Sequence, residues 1–346
     1  MCGQNERQAL AEKLKGQKLT IPDMRPIFAH WPGGQNENYE VVKGVIEKEL
    51  RSQPLDEDAI RGWNPALLAA TWWPTAASKQ YRVLTDLVIW FGVWDDVVEK
   101  LGSDQEAAEH MRSETKAVVR QTLLLGPTAD GPVPNPLMTG FGSIAKEVCA
   151  VLDEEQRGRL VGHFNKYIDA TQLEAEADQG TDIPSLEKYW EVRKLSSGMP
   201  ILLGFSEYAL QVKLPTSLVD SAQYQTLWEV AIVINSIVND LISFKKEMKQ
   251  GSILSSVAIL YHRLDNLNAA VEASLGYLKE LISEFDRTAE MVLDGFPVDS
   301  REFDVVSRSI DSMRMVNTGN LEWSLQVKRY GVLEGMTEKG QIEFIL

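Results

Sequence analysis

Leu227 to Glu247 reads LWEVAIVINSIVNDLISFKKE. From Leu227 to Leu241 the stretch is apolar on nearly every face of a helix. Such a helix sits in the centre of a large bundle. Its end is different. Asn239, Asp240 and Ser243 follow the buried run, and polar groups there need partners. Asn239, Ser243 and Glu247 fall at i, i+4 and i+8, which sets an amide oxygen, a hydroxyl and a carboxylate in one line along the helix. All three offer oxygen to a hard cation such as magnesium. A polar stripe at a helix end accounts for Lys245, Lys246 and Glu247 but poorly for Asn239 and Ser243, so a metal site is the better reading of this stretch.

Around this segment the apolar period is helical almost everywhere. It predicts helices near 36–51, 65–72, 78–100, 104–125, 137–152, 154–179, 185–195, 200–211, 217–249, 253–262, 264–294 and 300–328. Pro22, Pro26, Pro32, Gly33 and Gly34 mark residues 1–35 as an irregular lead-in. The one Pro/Gly-rich stretch, 126–136, is the length of a loop between helices rather than a clear domain linker. The expected fold is all-α: one helical domain over 36–346, a bundle around a central apolar pocket.

Composition narrows the function. Of 346 residues, 44% are hydrophobic and 25% charged, as in an ordinary soluble globular protein. A formal net charge of −15 repels nucleic acid and anionic membrane, so neither is expected as a partner. An anionic substrate would then need help from cations or a basic pocket. Cys2 and Cys149 make no disulfide framework. Met1 to Thr20 is polar throughout and lacks the apolar core of a signal peptide. The run Val230 to Ile242 is expected to be too short and too polar to span a bilayer. These features predict a cytoplasmic protein.

A second acidic group, Asp95-Asp96-Val97-Val98-Glu99, ends the apolar and aromatic run Leu87 to Trp94. Asp95 and Glu99 lie one turn apart on a shared face, with Asp96 beside it. A divalent cation would relieve their mutual repulsion. Taken alone, the group reads equally as a helix end turning into solvent.

With both groups in view, the sequence resembles the class I terpene synthases, of the compact microbial or fungal type. Asp95-Asp96-x-x-Glu99 is similar to their aspartate-rich motif, and Asn239-Asp240-x-x-Ser243-x-x-x-Glu247 to their second metal motif. Arg193 stands 46 residues before Asn239, the spacing of the family's diphosphate-sensing arginine. Arg329-Tyr330 begins 82 residues beyond Glu247, near the family's Arg-Tyr pair. The segment Asn320-Leu321-Glu322-Trp323-Ser324 resembles fungal members.

The resemblance implies a sesquiterpene cyclase that ionises an isoprenyl diphosphate, farnesyl diphosphate by default, and closes the cation into rings. It implies three magnesium ions, held by Asp95, with Asp96 and Glu99 as further candidates, and by Asn239, Ser243 and Glu247. Arg193, Lys246, Arg329 and Tyr330 would bind the diphosphate. No other cofactor is implied. The helix break Ser196-Ser197-Gly198-Met199-Pro200 lies where the family triggers ionisation, but the acidic residue expected three beyond the arginine is Ser196 here. Phe91 and Trp323, on the faces of Asp95 and Tyr330, are candidates to stabilise the cation, and Trp90, Trp94, Phe205 and Trp228 are further ones. Aromatics at helical spacing also serve as core. Two rivals stay open: a chain-elongating prenyl transferase of the same fold, and a silent helical interaction protein. A homodimer is also left open.

Overall fold

The computed structural model describes residues 5–50, 62–101, 104–125 and 136–346. The Pro/Gly-rich connection over 126–136 lies outside the described residues up to position 135. What is described is built almost wholly of helices: α1 Glu6–Leu14, α2 Tyr39–Leu50, α3 Pro65–Trp72, α4 Ser78–Lys100, α5 Gln105–Arg120, α6 Pro136–Cys149 and α7 Glu154–Asp178. There follow α8 Leu186–Ser196, α9 Met199–Gly204, α10 Ser206–Leu210, α11 Ala222–Gln250, α12 Ser256–Leu264, α13 Leu267–Leu293 and α14 Arg301–Gln326. Short strands β1 Lys18–Ile21 and β2 Ile342–Ile345 complete the order.

Most long helices begin where a side chain can accept from the free amides of the first turn. Ser221 accepts from Tyr224 N at the start of α11, and Ser300 from Phe303 N at the start of α14. Asp153 and Gln156 cap α7 reciprocally. The helix expected over 217–249 therefore begins at Ala222, behind a separate turn at Thr216–Val219. It ends at Gly251, whose φ of +83° breaks the helix.

The expectation of an irregular segment over 1–35 holds for residues 22–24 and 29–35, but α1, β1 and a 3₁₀ turn at Arg25–Phe28 form within it. Asn5 caps α1, and β1 pairs antiparallel with β2 in the register Lys18↔Ile345 to Ile21↔Ile342. Leu19 and Ile21, on one face of β1, are fully buried where it packs on α13. The partner strand lies at the other end of the chain, so no local sequence period announces it.

One connected hydrophobic core runs from Leu10 to Phe344. Helix α11 lies within it, packed against α13 and α14, and Leu227, Ala231, Ile234 and Leu241 are 0% exposed. By length and composition alone α11 could cross a membrane, which corrects the expectation drawn from Val230 to Ile242; but 83% of its most apolar window is buried inside the protein. It is a central core helix. Next to it α14 packs on α3 so closely that a Cβ at Gly319 would stand 2.2 Å from the Thr71 carbonyl oxygen. Backbone cannot move aside there.

Gly319→Ala is therefore expected to lower the unfolding free energy by at least about 1–3 kcal/mol. Gly276→Ala, in the exposed middle of α13 with open space at its Cβ, should raise it by up to about 1 kcal/mol. Urea unfolding of both variants checks the pair; equal midpoints would contradict the close α3–α14 contact.

Candidate active site

A cavity of about 1290 Å³ opens inside the bundle, and its walls include Asp95, Arg193, Asn239, Glu247, Arg329 and Tyr330. Four separate parts of the chain deliver these groups: the end of α4, α8, the second half of α11, and the 3₁₀ turn Lys328–Tyr330 behind α14. Asp96, Glu99 and Arg329 are exposed at the mouth, and Asn239 and Tyr330 lie deeper. Below them Phe91, Met199, Leu202 and Trp323 form an apolar wall.

Among the described residues the least exposed charged side chain is Asp240, 1% exposed. Its Oδ2 accepts from the Tyr189 hydroxyl at 2.7 Å and from the Ser256 backbone N–H at 2.9 Å, while Oδ1 faces Arg193 Nη2 at 3.3 Å. The same Nη2 donates to Asn239 Oδ1 at 2.8 Å. Asp240 thus ties α8, α11 and α12 together and holds the arginine against the first residue of the polar line. Burial by itself disfavours the Arg193 charge; Tyr189, Asp240, Glu174 and Glu247 around it outweigh burial and hold its pKa above the ordinary value. Burial likewise raises the Tyr189 hydroxyl, and Asp240 raises it further.

Along α11, Ser243 Oγ lies 2.7 Å from the Asn239 carbonyl oxygen and 2.6 Å from Glu247 Oε1, two acceptors for its one proton. Asn239 Nδ2 donates to Tyr330 Oη at 3.4 Å, joining this line to the C-terminal turn. Burial pushes Glu247 up to about 7, with Asp240 adding to the effect and Ser243, Arg193 and Lys246 opposing it. Across the cavity Tyr167 donates to Asp95 Oδ1 at 2.5 Å. Asp95 opens into the cavity yet has protein packed around it; that environment raises its pKa, and Glu99 and Asp96 raise it further. Lys246 has Glu247, Glu99, Asp96 and Arg329 for charged neighbours, and burial first, then Arg329, lowers its pKa. Its neighbour Lys245 points elsewhere, over the Phe344 ring at 4.5 Å.

Among the described residues no three Asp, Glu, His or Cys side chains stand close enough to hold a metal ion. The two acidic groups remain on separate helices. A cation here would have to draw on the neutral oxygens of Asn239 and Ser243, or on an anionic ligand, as well as on carboxylates.

Phe91 and Trp323 both reach the cavity. Phe91 packs against Tyr167, ring centroids 4.9 Å apart, and Trp323 meets Tyr330 edge-on at 5.6 Å. Phe91 also seals the break between α8 and α9: Gly198 has φ +71°, and a Cβ there would lie 2.4 Å from Phe91 Cζ. The other aromatic candidates do not line this cavity. Trp90, Trp94 and Phe205 are 5%, 1% and 0% exposed in the core between α4, α6, α7 and α10. Trp228 stacks on His163, at 5.1 Å, beside a separate small pocket, and burial pushes that histidine down to about 4. Sequence reasoning missed Trp63 and Trp72, which do line the cavity, and Glu174 on α7, raised by burial to about 7 beside Arg193 and Asp95. They stand on other segments than Phe91 and Arg193, so no helical period links them to those residues, and nothing local in the sequence marked them.

The sequence of residues 86–285 matches the family model for terpene synthase family 2, C-terminal metal binding. A sesquiterpene cyclase of Aspergillus oryzae, hepA, is 26% identical over 99% of this chain and 97% of its own length. Pristinol synthase of Streptomyces pristinaespiralis is 30% identical over 76% of this chain and 72% of its own. Among solved structures, germacradien-4-ol synthase from Streptomyces citricolor superposes with a TM-score of 0.72 at 18% identity, covering 85% of this chain and 96% of that one. At that identity the likeness is one of fold.

Asp240→Leu removes one partner of a buried ion pair and strands the Tyr189 hydroxyl and the Ser256 amide; it should cost about 3–5 kcal/mol of stability. Asn239→Ala, one residue away but half-buried and neutral, should cost about 1 kcal/mol. Chemical denaturation separates them. A similar small loss in both would mean that Asp240 is not the structural anchor.

Proposed function

This chain belongs to terpene synthase family 2, and on that premise we propose that it is a magnesium-dependent cyclase of farnesyl diphosphate. The observation that carries the reading is convergence. Asp95, Arg193, Asn239, Glu247 and Arg329-Tyr330 come from distant parts of the chain to line one apolar, aromatic-walled cavity, and Ser243, 2% exposed, stands behind Asn239 and Glu247. The choice of farnesyl rests on the relative that spans 99% of this chain and is named as a sesquiterpene cyclase.

The donor set fits a magnesium cluster. Asn239 Oδ1, Ser243 Oγ and Glu247 share one face of α11, and Asp95 opens toward them from α4, all hard oxygens. The carboxylates raised by burial are groups whose charge a cation would compensate. Magnesium, when bound, would neutralise the diphosphate and improve it as a leaving group. Everything else falls to the chain. Arg193, now spent on Asn239 and Asp240, is in reach of the same end of the cavity; a cation taking Asn239 Oδ1 would free its guanidinium to donate to diphosphate oxygens. Arg329 and Lys246 add charge at the mouth, and the Tyr330 hydroxyl adds a donor below it. The C–O bond then breaks with its electron pair going to diphosphate. Phe91 and Trp323 offer π faces to the cation without acting as bases, and the apolar wall excludes bulk water during ring closure.

Purified protein incubated with magnesium and geranyl, farnesyl or geranylgeranyl diphosphate should release diphosphate and a cyclic product from the farnesyl chain, and chelation should stop it. Asn239→Ala and Asp95→Ala should each lower turnover at least roughly 100-fold while keeping a cooperative unfolding transition. Full turnover in both variants would sink the metal assignment. Elongation on adding isopentenyl diphosphate would favour a prenyl transferase instead.

A further inference from the structure

Deep in the cavity two primary amides lie side by side. Asn235 is on α11, one turn before Asn239, and Asn320 is on α14. Asn320 Nδ2 points at the Asn235 backbone carbonyl, 3.5 Å away, and both residues line the cavity at 5% and 3% exposure. Asn235 Nδ2 has no hydrogen-bond partner in the protein; neither has the indole Nε1 of Trp72, another residue of the same wall. Buried donors that the protein leaves unsatisfied call for a ligand or an ordered water. A hydrocarbon chain cannot serve them, yet Phe91, Leu202 and Trp323 make the rest of this wall suited to one. Leucine would line such a wall at similar volume without the cost of burying an amide.

Two amides do what no apolar residue can: each both donates and accepts, so together they can hold one water by opposite ends. They are also neutral at any working pH, so they do not act as bases that strip a proton from a cation. We propose that Asn235 and Asn320 position a single water molecule in the cavity and that this water captures the last carbocation, making the product a terpene alcohol. The inference rests on the cyclase reading above. In the step, a lone pair on the water oxygen forms a C–O bond to the cationic carbon, and one O–H proton passes to the diphosphate released at ionisation. No C–H bond breaks, whereas a hydrocarbon product would require loss of a proton from carbon. Asn235 and Asn320 are positioning residues, acting on the reaction through the water they hold.

The test uses the full chain with magnesium and whichever of geranyl, farnesyl and geranylgeranyl diphosphate it turns over fastest, in ¹⁸O-enriched water. The wild type should yield chiefly an alcohol carrying one ¹⁸O. Asn235→Leu and Asn320→Leu should each lower the ratio of alcohol to hydrocarbon at least about tenfold while diphosphate release stays within about fivefold, a split that general structural damage does not produce. The wild-type label stands by itself if either variant fails to fold. Diphosphate release with an unlabelled hydrocarbon as main product overturns the inference and leaves the cyclase reading intact. A labelled alcohol whose ratio is unchanged in both variants overturns the assignment to these residues. No diphosphate release from any substrate removes both readings.

Discussion

A carboxylate buried to 1% exposure at the meeting of three helices has to be fully paired, and Asp240 is. Its partners are a phenol and a guanidinium, both on α8, and the backbone amide that opens α12. Meeting that requirement fixes more than the carboxylate. It sets Arg193 beside Asn239, orients α8 against α11, and starts α12 close to the end of the polar line. A buried pair of this kind adds little net stability over apolar packing, because desolvation offsets most of its attraction. What it does provide is one allowed position for the arginine.

From that anchor the cavity divides by chemistry. At one end, exposed acids on α4 face a half-buried line on α11, with Lys246 and Arg329 between them. Of the carboxylates there, Asp95 and Glu247 are held above their usual pKa, burial being the first cause and neighbouring carboxylates adding to it. At the other end the walls are aromatic and aliphatic, broken by the two amides. An anionic head with a long apolar tail is the shape of ligand that both halves accept together.

Much of this was legible in the amino-acid order. Helix α4 runs over Ser78–Lys100 as its period indicates, and the line of Asn239, Ser243 and Glu247 follows from helical spacing on α11. What escaped reading depended on partners far away in the chain. Strand β1 finds its mate at the C-terminus, and Asp240 finds its acceptors' complements on α8 and α12, so neither leaves a local period. The aromatics show the same limit. Trp90, Phe91 and Trp94 crowd one segment, and only Phe91 meets the cavity, because about 100° of rotation per residue separates facing α6 and α7 from facing the break at Gly198. Glu174 and Trp72 had no motif around them at all. Their roles come from the packing of α7 and α3, which no short pattern encodes.

The central claim is that neither the acidic groups nor the basic residues at the cavity mouth suffice alone, and that a divalent cation joins them to an anionic head. Calorimetric titration of inorganic diphosphate into the protein, with and without magnesium, tests this without relying on turnover. The account predicts binding at least about 100-fold tighter with magnesium, and loss of that gain in Asn239→Ala. Diphosphate bound equally well in the absence of any divalent cation would contradict it.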